Sequence, residues 1–110
     1  MMTSHKEAHE LISQGKAILV DVRESNEIVQ TGLAEGAIWM PLSAMQDDLE
    51  QWRIFRQQLV KDKLIFVYCA SGARSGRFAE FLCCDGYKAE NLGGFREWQS
   101  AGLPVKPFQK

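Results

Sequence analysis

The segment Leu64-Ile65-Phe66-Val67-Tyr68 is apolar at every position, with no charged residue to give it a wet side. A strand-length run of this kind fits a strand buried on both faces, the condition of a parallel sheet covered by helices. Ala17-Ile18-Leu19-Val20-Asp21-Val22 has nearly the same character, and Ala37-Ile38-Trp39-Met40 is a shorter run stopped by Pro41. Ala89 to Leu92 reads as a last short strand.

Helical patterns separate these runs. Ser4-His5-Lys6-Glu7 fits a capping box, Ala8, Leu11 and Ile12 share the helical face that follows, and Gly15 stands at its C-cap. Ser25 to Gln30 predicts a short helix closed by Gly32. From Ser43 to Val60, the residues Met45, Leu49, Trp52, Phe55 and Leu59 recur at spacings of three and four, which predicts one amphipathic helix. Another helix is expected from Ala73 to Asp85, with Gly86 as its C-cap. Gly93-Gly94 opens a final helix that carries Trp98 and ends at Gly102-Leu103-Pro104. The alternation predicts an α/β fold with a central parallel sheet of about four strands and helices on both faces. With 110 residues, it is expected to form a single domain over 1–110.

A net charge of −1 gives no ground for bulk electrostatic binding, so neither nucleic acid nor membrane is an expected partner, although a local basic site stays open. The cysteines, Cys69, Cys83 and Cys84, are odd in number and lack C-x-x-C spacing. That argues against a disulfide framework and against a zinc site, and predicts free thiols in a reducing compartment. The beginning Met-Met-Thr-Ser-His-Lys-Glu lacks the apolar core of a signal peptide, and no apolar run reaches bilayer length, so the expected location is cytoplasmic.

Ligand sites of parallel sheets lie beyond the carboxyl ends of the strands. Cys69 stands at that end of the most apolar, and therefore central, strand. The stretch Cys69-Ala70-Ser71-Gly72-Ala73-Arg74-Ser75 leads from this strand into a helix, and all its side chains except Arg74 are small. Such a loop can curl so that successive backbone N–H groups converge on one spot at the positive end of the helix dipole. A thiolate there is stabilised and nucleophilic, and the same cradle suits an anionic substrate. Arg74 either places a fixed charge at the mouth or buttresses the loop. The competing interpretation is that Cys69 is a small, inert core residue.

Cys69, Gly72, Arg74 and Ser75 stand in the register Cys-x-x-Gly-x-Arg-Ser, and there the sequence resembles the rhodanese family. Asp21-Val22-Arg23-Glu24 resembles the Asp-Val-Arg ending of that family's first long strand. Gly36-Ala37-Ile38 with Pro41-Leu42 is similar to its Gly-Ala-Ile-x-x-Pro-Leu segment. Asn91-Leu92-Gly93-Gly94-Phe95, Trp98 and Gly102-Leu103-Pro104-Val105 resemble its C-terminal signature. The four segments occur in order across the chain. Two places depart from the pattern: Leu33-Ala34-Glu35 stand where His-Ile-Pro is common, and Trp39 where a polar residue is common, so access to the site is expected to differ.

The resemblance implies a rhodanese-like three-layer sandwich and a two-step sulfur transfer without metal or organic cofactor. Cys69 would take the sulfane sulfur of thiosulfate or another persulfide donor. The persulfide would then pass it to cyanide, a small thiol or a protein thiol. Ala70, Ser71, Gly72, Ala73, Arg74 and Ser75 would hold the donor's charge. Asp21 and Arg23 are candidate loop supports, and contact with the substrate is the lesser role for them. A cysteine phosphatase of the same fold needs five residues between Cys and Arg, whereas four separate Cys69 from Arg74. The fold also serves as a non-catalytic interaction module and could act as a protein-to-protein sulfur carrier; the retained cysteine speaks against the non-catalytic module.

Elsewhere the expectations are structural. Cys83, four residues after Ala79, is expected in the core, and Cys84 at the surface, about 20 Å along the helix from the loop. His5 and His9 have i, i+4 metal spacing but are expected on a solvated face. Trp39, Trp52 and Trp98 are expected in the core or lining a groove. Gly93 and Gly94 are expected to let two backbones approach closely.

Overall fold

The computed structural model describes residues 3–108; Met1, Met2, Gln109 and Lys110, included in the expected domain limits, lie outside the described residues. Four strands, β1 (Ala17–Asp21), β3 (Ile38–Trp39), β4 (Leu64–Cys69) and β5 (Lys88–Gly94), form a parallel sheet in the order β3-β1-β4-β5. The apolar run 64–68 lies in β4, one of the two central strands, as its lack of a polar face requires.

Side chains alternate across the sheet. Ile65, Val67 and Cys69 of β4 join Val20, Phe55, Phe78 and Leu82 in one core. Phe66 and Tyr68 join Leu19, Leu92, Phe95 and Trp98 in the other. The first core is covered by α3 (Ala44–Asp47), α4 (Leu49–Gln57) and α5 (Ala73–Cys84), the second by α1 (His5–Ser13) and α6 (Phe95–Ser100). The remaining helix, α2 (Ser25–Thr31), follows β1 and buries Ile28. This is the expected layering, with helices on both faces. At the start of α1 the capping box forms: Glu7 N–H donates to Ser4 Oγ over 3.2 Å, and Ser4 N–H to the Glu7 carboxylate over 3.4 Å.

Three expectations need correction, and one element is added. The single helix over 43–60 is two. Asp48 leaves the helical backbone region, with φ −141° and ψ 82°, and its carboxylate accepts the Gln51 N–H over 3.0 Å, so it ends α3 and caps α4. An N-cap aspartate outcompetes continuation of the helix, and Leu49, assigned to the buried stripe, is left 69% exposed. Cys83 is exposed rather than in the core, its thiol donating to the Ala89 carbonyl over 3.3 Å; Phe78, Ala79 and Leu82 form the buried face of α5 instead. His5 and His9 are half-buried, with His9 edge-on to Trp98 at 5.7 Å between ring centres. Leu33–Ala34 (β2) pairs antiparallel with Val105–Lys106 (β6), a small ribbon the pattern of the sequence did not announce.

Candidate active site

The loop after β4 closes around the Cys69 sulfur. Gly72 N–H donates to Sγ over 3.0 Å and Ser75 N–H over 3.5 Å, while Ser75 Oγ lies 3.4 Å away. Gly72 makes the turn: its φ of +100° is a left-handed conformation that costs glycine least, and it is the N-cap of α5. Cys69 itself is buried, whereas Ala70, Ser71 and Ala73 form an exposed rim of small side chains. Burial pushes the thiol pKa up, but the hydrogen bonds from Ser75 Oγ and from the N–H groups of Ser75, Gly72 and Ser71 outweigh it. The net shift is downward, toward thiolate.

Arg74 stands close enough to Cys69 for the sulfur's charge to act on its guanidinium. Its two short hydrogen bonds, of 2.7 and 2.9 Å, go to Glu27 of α2, so it buttresses the loop. Paired with Arg74, Glu27 has its pKa lowered to about 2. The Glu27 carboxylate also accepts from Glu24 N–H over 3.1 Å at the start of α2, so one residue joins that helix to the loop.

Asp21 and Arg23 are buried, and form an ion pair with the guanidinium wrapped on the carboxylate at 2.9 to 3.1 Å. Arg23 also donates to the Gly32 carbonyl over 2.8 Å and Thr31 Oγ1 over 3.0 Å, and stacks 4.1 Å from the centre of the Phe95 ring. With its charge and donors used this way, the pair ties the end of β1 to the end of α2 and the start of α6. Trp39 Nε1 donates to the Arg23 carbonyl over 2.8 Å, and its ring packs edge-on to Phe108. The departure at Trp39 therefore serves the framework around Arg23. Trp98 is in the core, and Trp52 stacks on Phe55 half-buried.

Two residues around the loop were given no site role by the sequence. Glu27 is one; its signal was its position three residues after Glu24, the spacing of a capping box. Asn91 is the other. Its Oδ1 accepts from Ser75 Oγ over 2.6 Å and from Gly93 N–H over 3.0 Å, and its Nδ2 donates to the Gly72 carbonyl over 2.9 Å. One carboxamide thus fastens the middle of the Cys69 loop and its Ser75 end to β5. The signal was an amide in a strand, where Asn is depleted unless its side chain is used. Next to it the β4–β5 register slips by one residue, so that Tyr68 and Cys69 lie opposite Gly93 and Gly94. A β-carbon on Gly94 would run into the Ala70 carbonyl oxygen, so the close approach expected of the glycine pair is made onto the rim itself.

Among the described residues, no group of three or more metal-ligating side chains is assembled, and no helix is long and apolar enough to cross a membrane. Cys84 is exposed at the far end of α5 from the loop.

Comparison with known proteins fits this geometry. A rhodanese-like domain model matches residues 4–101. The chain is 34% identical over 90 residues to a sulfurtransferase of Allochromatium vinosum, covering 80% of this chain and 77% of that protein. It is 27% identical over 99 residues to the thiosulfate sulfurtransferase GlpE of Coxiella burnetii, covering 88% of this chain and 85% of that one. The crystal structure of a rhodanese-related protein from Thermoplasma volcanium superposes with a TM-score of 0.76 at 30% identity, over 97% of this chain and 98% of the other. The sheet order, the ring around Cys69 and a family match across nearly the whole chain agree, and the chain belongs to the rhodanese-like domain family.

Proposed function

We propose that this protein is a sulfurtransferase in which Cys69 carries the sulfur as a persulfide. The observation that carries the reading is the ring of donors around Sγ, two backbone N–H groups and the Ser75 hydroxyl, without a buried carboxylate in the ring. In the first step the Cys69 thiolate attacks the sulfane sulfur of thiosulfate or another persulfide donor. The Sγ–S bond forms, the donor's S–S bond breaks, and sulfite, or the donor thiolate, leaves with the electron pair. In the second step cyanide, a small thiol or a protein thiol attacks the terminal sulfur, and Cys69 Sγ leaves as thiolate. The loop from Ala70 to Ser75 stabilises the anionic sulfur in both forms with fixed dipoles that need no reorganisation. Asp21 and Arg23 act on the loop through the framework rather than through the substrate. No metal or organic cofactor enters either step.

The thiosulfate sulfurtransferase and sulfurtransferase names of the relatives support a sulfane donor. The engagement of Arg74 by Glu27 disfavours a phosphatase, which needs that guanidinium turned onto the bound phosphate. Incubation with thiosulfate followed by intact-mass and peptide mass spectrometry tests the proposal. The expected result is a gain of one sulfur on Cys69 that is reversed by cyanide and absent in Cys69→Ala. A folded protein that takes up no sulfur from thiosulfate or from an organic persulfide overturns it.

A further inference from the structure

Beside the rim at Ala70 lies a cleft of about 260 Å³, bordered by Gln30 and Thr31 at the end of α2 and by Phe95, Arg96 and Gln99 of α6. The cleft is larger than a five-atom anion such as thiosulfate requires. Its charges are unevenly committed. Arg23, which touches the cleft, is bound to Asp21, and Glu27 is bound to Arg74. Arg96 has no carboxylate within ion-pair distance among the described residues. The neighbouring Glu97 is turned back to accept the Gly94 N–H over 3.0 Å. The cleft therefore offers one uncommitted cation, two carboxamides and an aromatic wall next to the loop that holds Cys69.

From this we infer that the cleft receives the body of a small organic thiol or persulfide that bears a carboxylate, and that Arg96 is the specificity-determining residue that reads the charge. The inference rests on the assignment of Cys69 as the sulfur-carrying nucleophile. With the body seated, the acceptor's thiolate attacks the terminal sulfur of the Cys69 persulfide. The acceptor S–S bond forms, the Sγ–S bond breaks, and Sγ departs with the pair, so no oxidant or reductant is consumed. A guanidinium can hold a carboxylate through two parallel bonds, while Gln30 and Gln99 supply amide contacts to a polar chain.

Two pairs of near-isosteric probes that differ in charge test this. The first is iodoacetate against iodoacetamide, with alkylation mapped to Cys69 by peptide mass because Cys83 and Cys84 are exposed thiols that react as well. Each ratio is normalised to that of free cysteine. The expected preference of the folded protein for iodoacetate is about three- to tenfold at low salt, shrinking as salt is added. Arg96→Gln brings the ratio close to that of free cysteine, Arg96→Lys keeps part of it, and Arg53→Gln, which removes the same charge from α4, leaves it at the wild-type value.

The second pair is 3-mercaptopropionate against 3-mercaptopropionamide as acceptors from the preloaded persulfide, for which the same ordering is expected. A wild-type ratio equal to that of free cysteine, or one that survives Arg96→Gln, overturns the role of Arg96. Failure of Cys69 to load from any sulfane donor, with the alkylation preference intact, overturns the sulfur-transfer assignment and the acceptor role built on it, and leaves only charge selection by the cleft.

Discussion

The Ser75 hydroxyl has one proton and three acceptors in reach: Asn91 Oδ1 at 2.6 Å, Cys69 Sγ at 3.4 Å and Gly93 O at 3.5 Å. The shortest contact takes the proton while the sulfur is a thiol, and ionisation of the sulfur pulls it across, because an anion is the stronger acceptor. Ser75 is therefore a positioning residue whose hydroxyl responds to the charge on Cys69. In Ser75→Ala the N–H groups of Gly72 and residue 75 stay, so the thiolate survives with one donor fewer. The midpoint of Cys69 alkylation against pH is expected to move up, with the alkylation rate on the high-pH plateau little changed. A midpoint that stays in place would mean that the backbone alone sets the thiolate.

At this scale the sequence was informative about the nucleophile and its small-residue loop because both are local. Glu27 and Asn91 reach the loop from 47 and 16 or 19 residues away, and no local pattern encodes that meeting. The same distance explains why the role of Arg74 stayed open: its choice between mouth and buttress depends on a carboxylate in another helix.

Elements were legible where periodicity and burial agree. The apolar runs at 17–22 and 64–68 can only be interior strands, and they pair in parallel from Ala17 opposite Leu64 to Asp21 opposite Tyr68. The periodicity from Met45 to Leu59 was equally regular, yet Asp48 breaks it, because a cap is a local competitor that hydrophobic spacing does not record. The ribbon of β2 and β6 has two residues per strand, too few for any pattern to show.

The meeting of β5 with the active loop is the element-scale contact with most consequence. In Gly94→Ala the new methyl meets backbone at Ala70 rather than a side chain able to rotate away, so β5 or the loop must shift. Gly15→Ala is the matched control, since a β-carbon there meets nothing within 4 Å and only its φ of +75° is strained. The control is expected to cost about 1–2 kcal/mol. Gly94→Ala should lose about 1–3 kcal/mol by overpacking, together with sulfur uptake at Cys69, as read by urea melts and mass spectrometry. Equal stability loss in both variants, with uptake intact, would show that β5 does not set the loop.

Across the whole molecule, the ion pair between Glu27 and Arg74 links α2 to α5 over the carboxyl end of the sheet, and it makes stability there depend on pH. The Glu27 carboxyl has a folded pKa of about 2, against an ordinary value of 4.5. A depressed carboxylate pKa stabilises the fold above the unfolded value, and that contribution is lost as pH falls from about 4.5 through about 2. Both partners keep roughly a third of their side-chain surface in water, so solvent and salt moderate the effect. Cys69, also depressed, follows the same rule higher on the pH scale and is common to both proteins in a comparison of wild type with Glu27→Gln. The difference between their urea midpoints therefore isolates the pair. It is expected to favour the wild type at pH 7, to narrow at pH 4, to be well under half its neutral value at pH 2.5 and to close only as pH falls below about 2, with added salt reducing the neutral-pH gap. A gap that persists unchanged to pH 2.5 would show that Glu27 holds the two helices by shape and neutral hydrogen bonds. The reach of Arg74 across the molecule would then be steric rather than electrostatic.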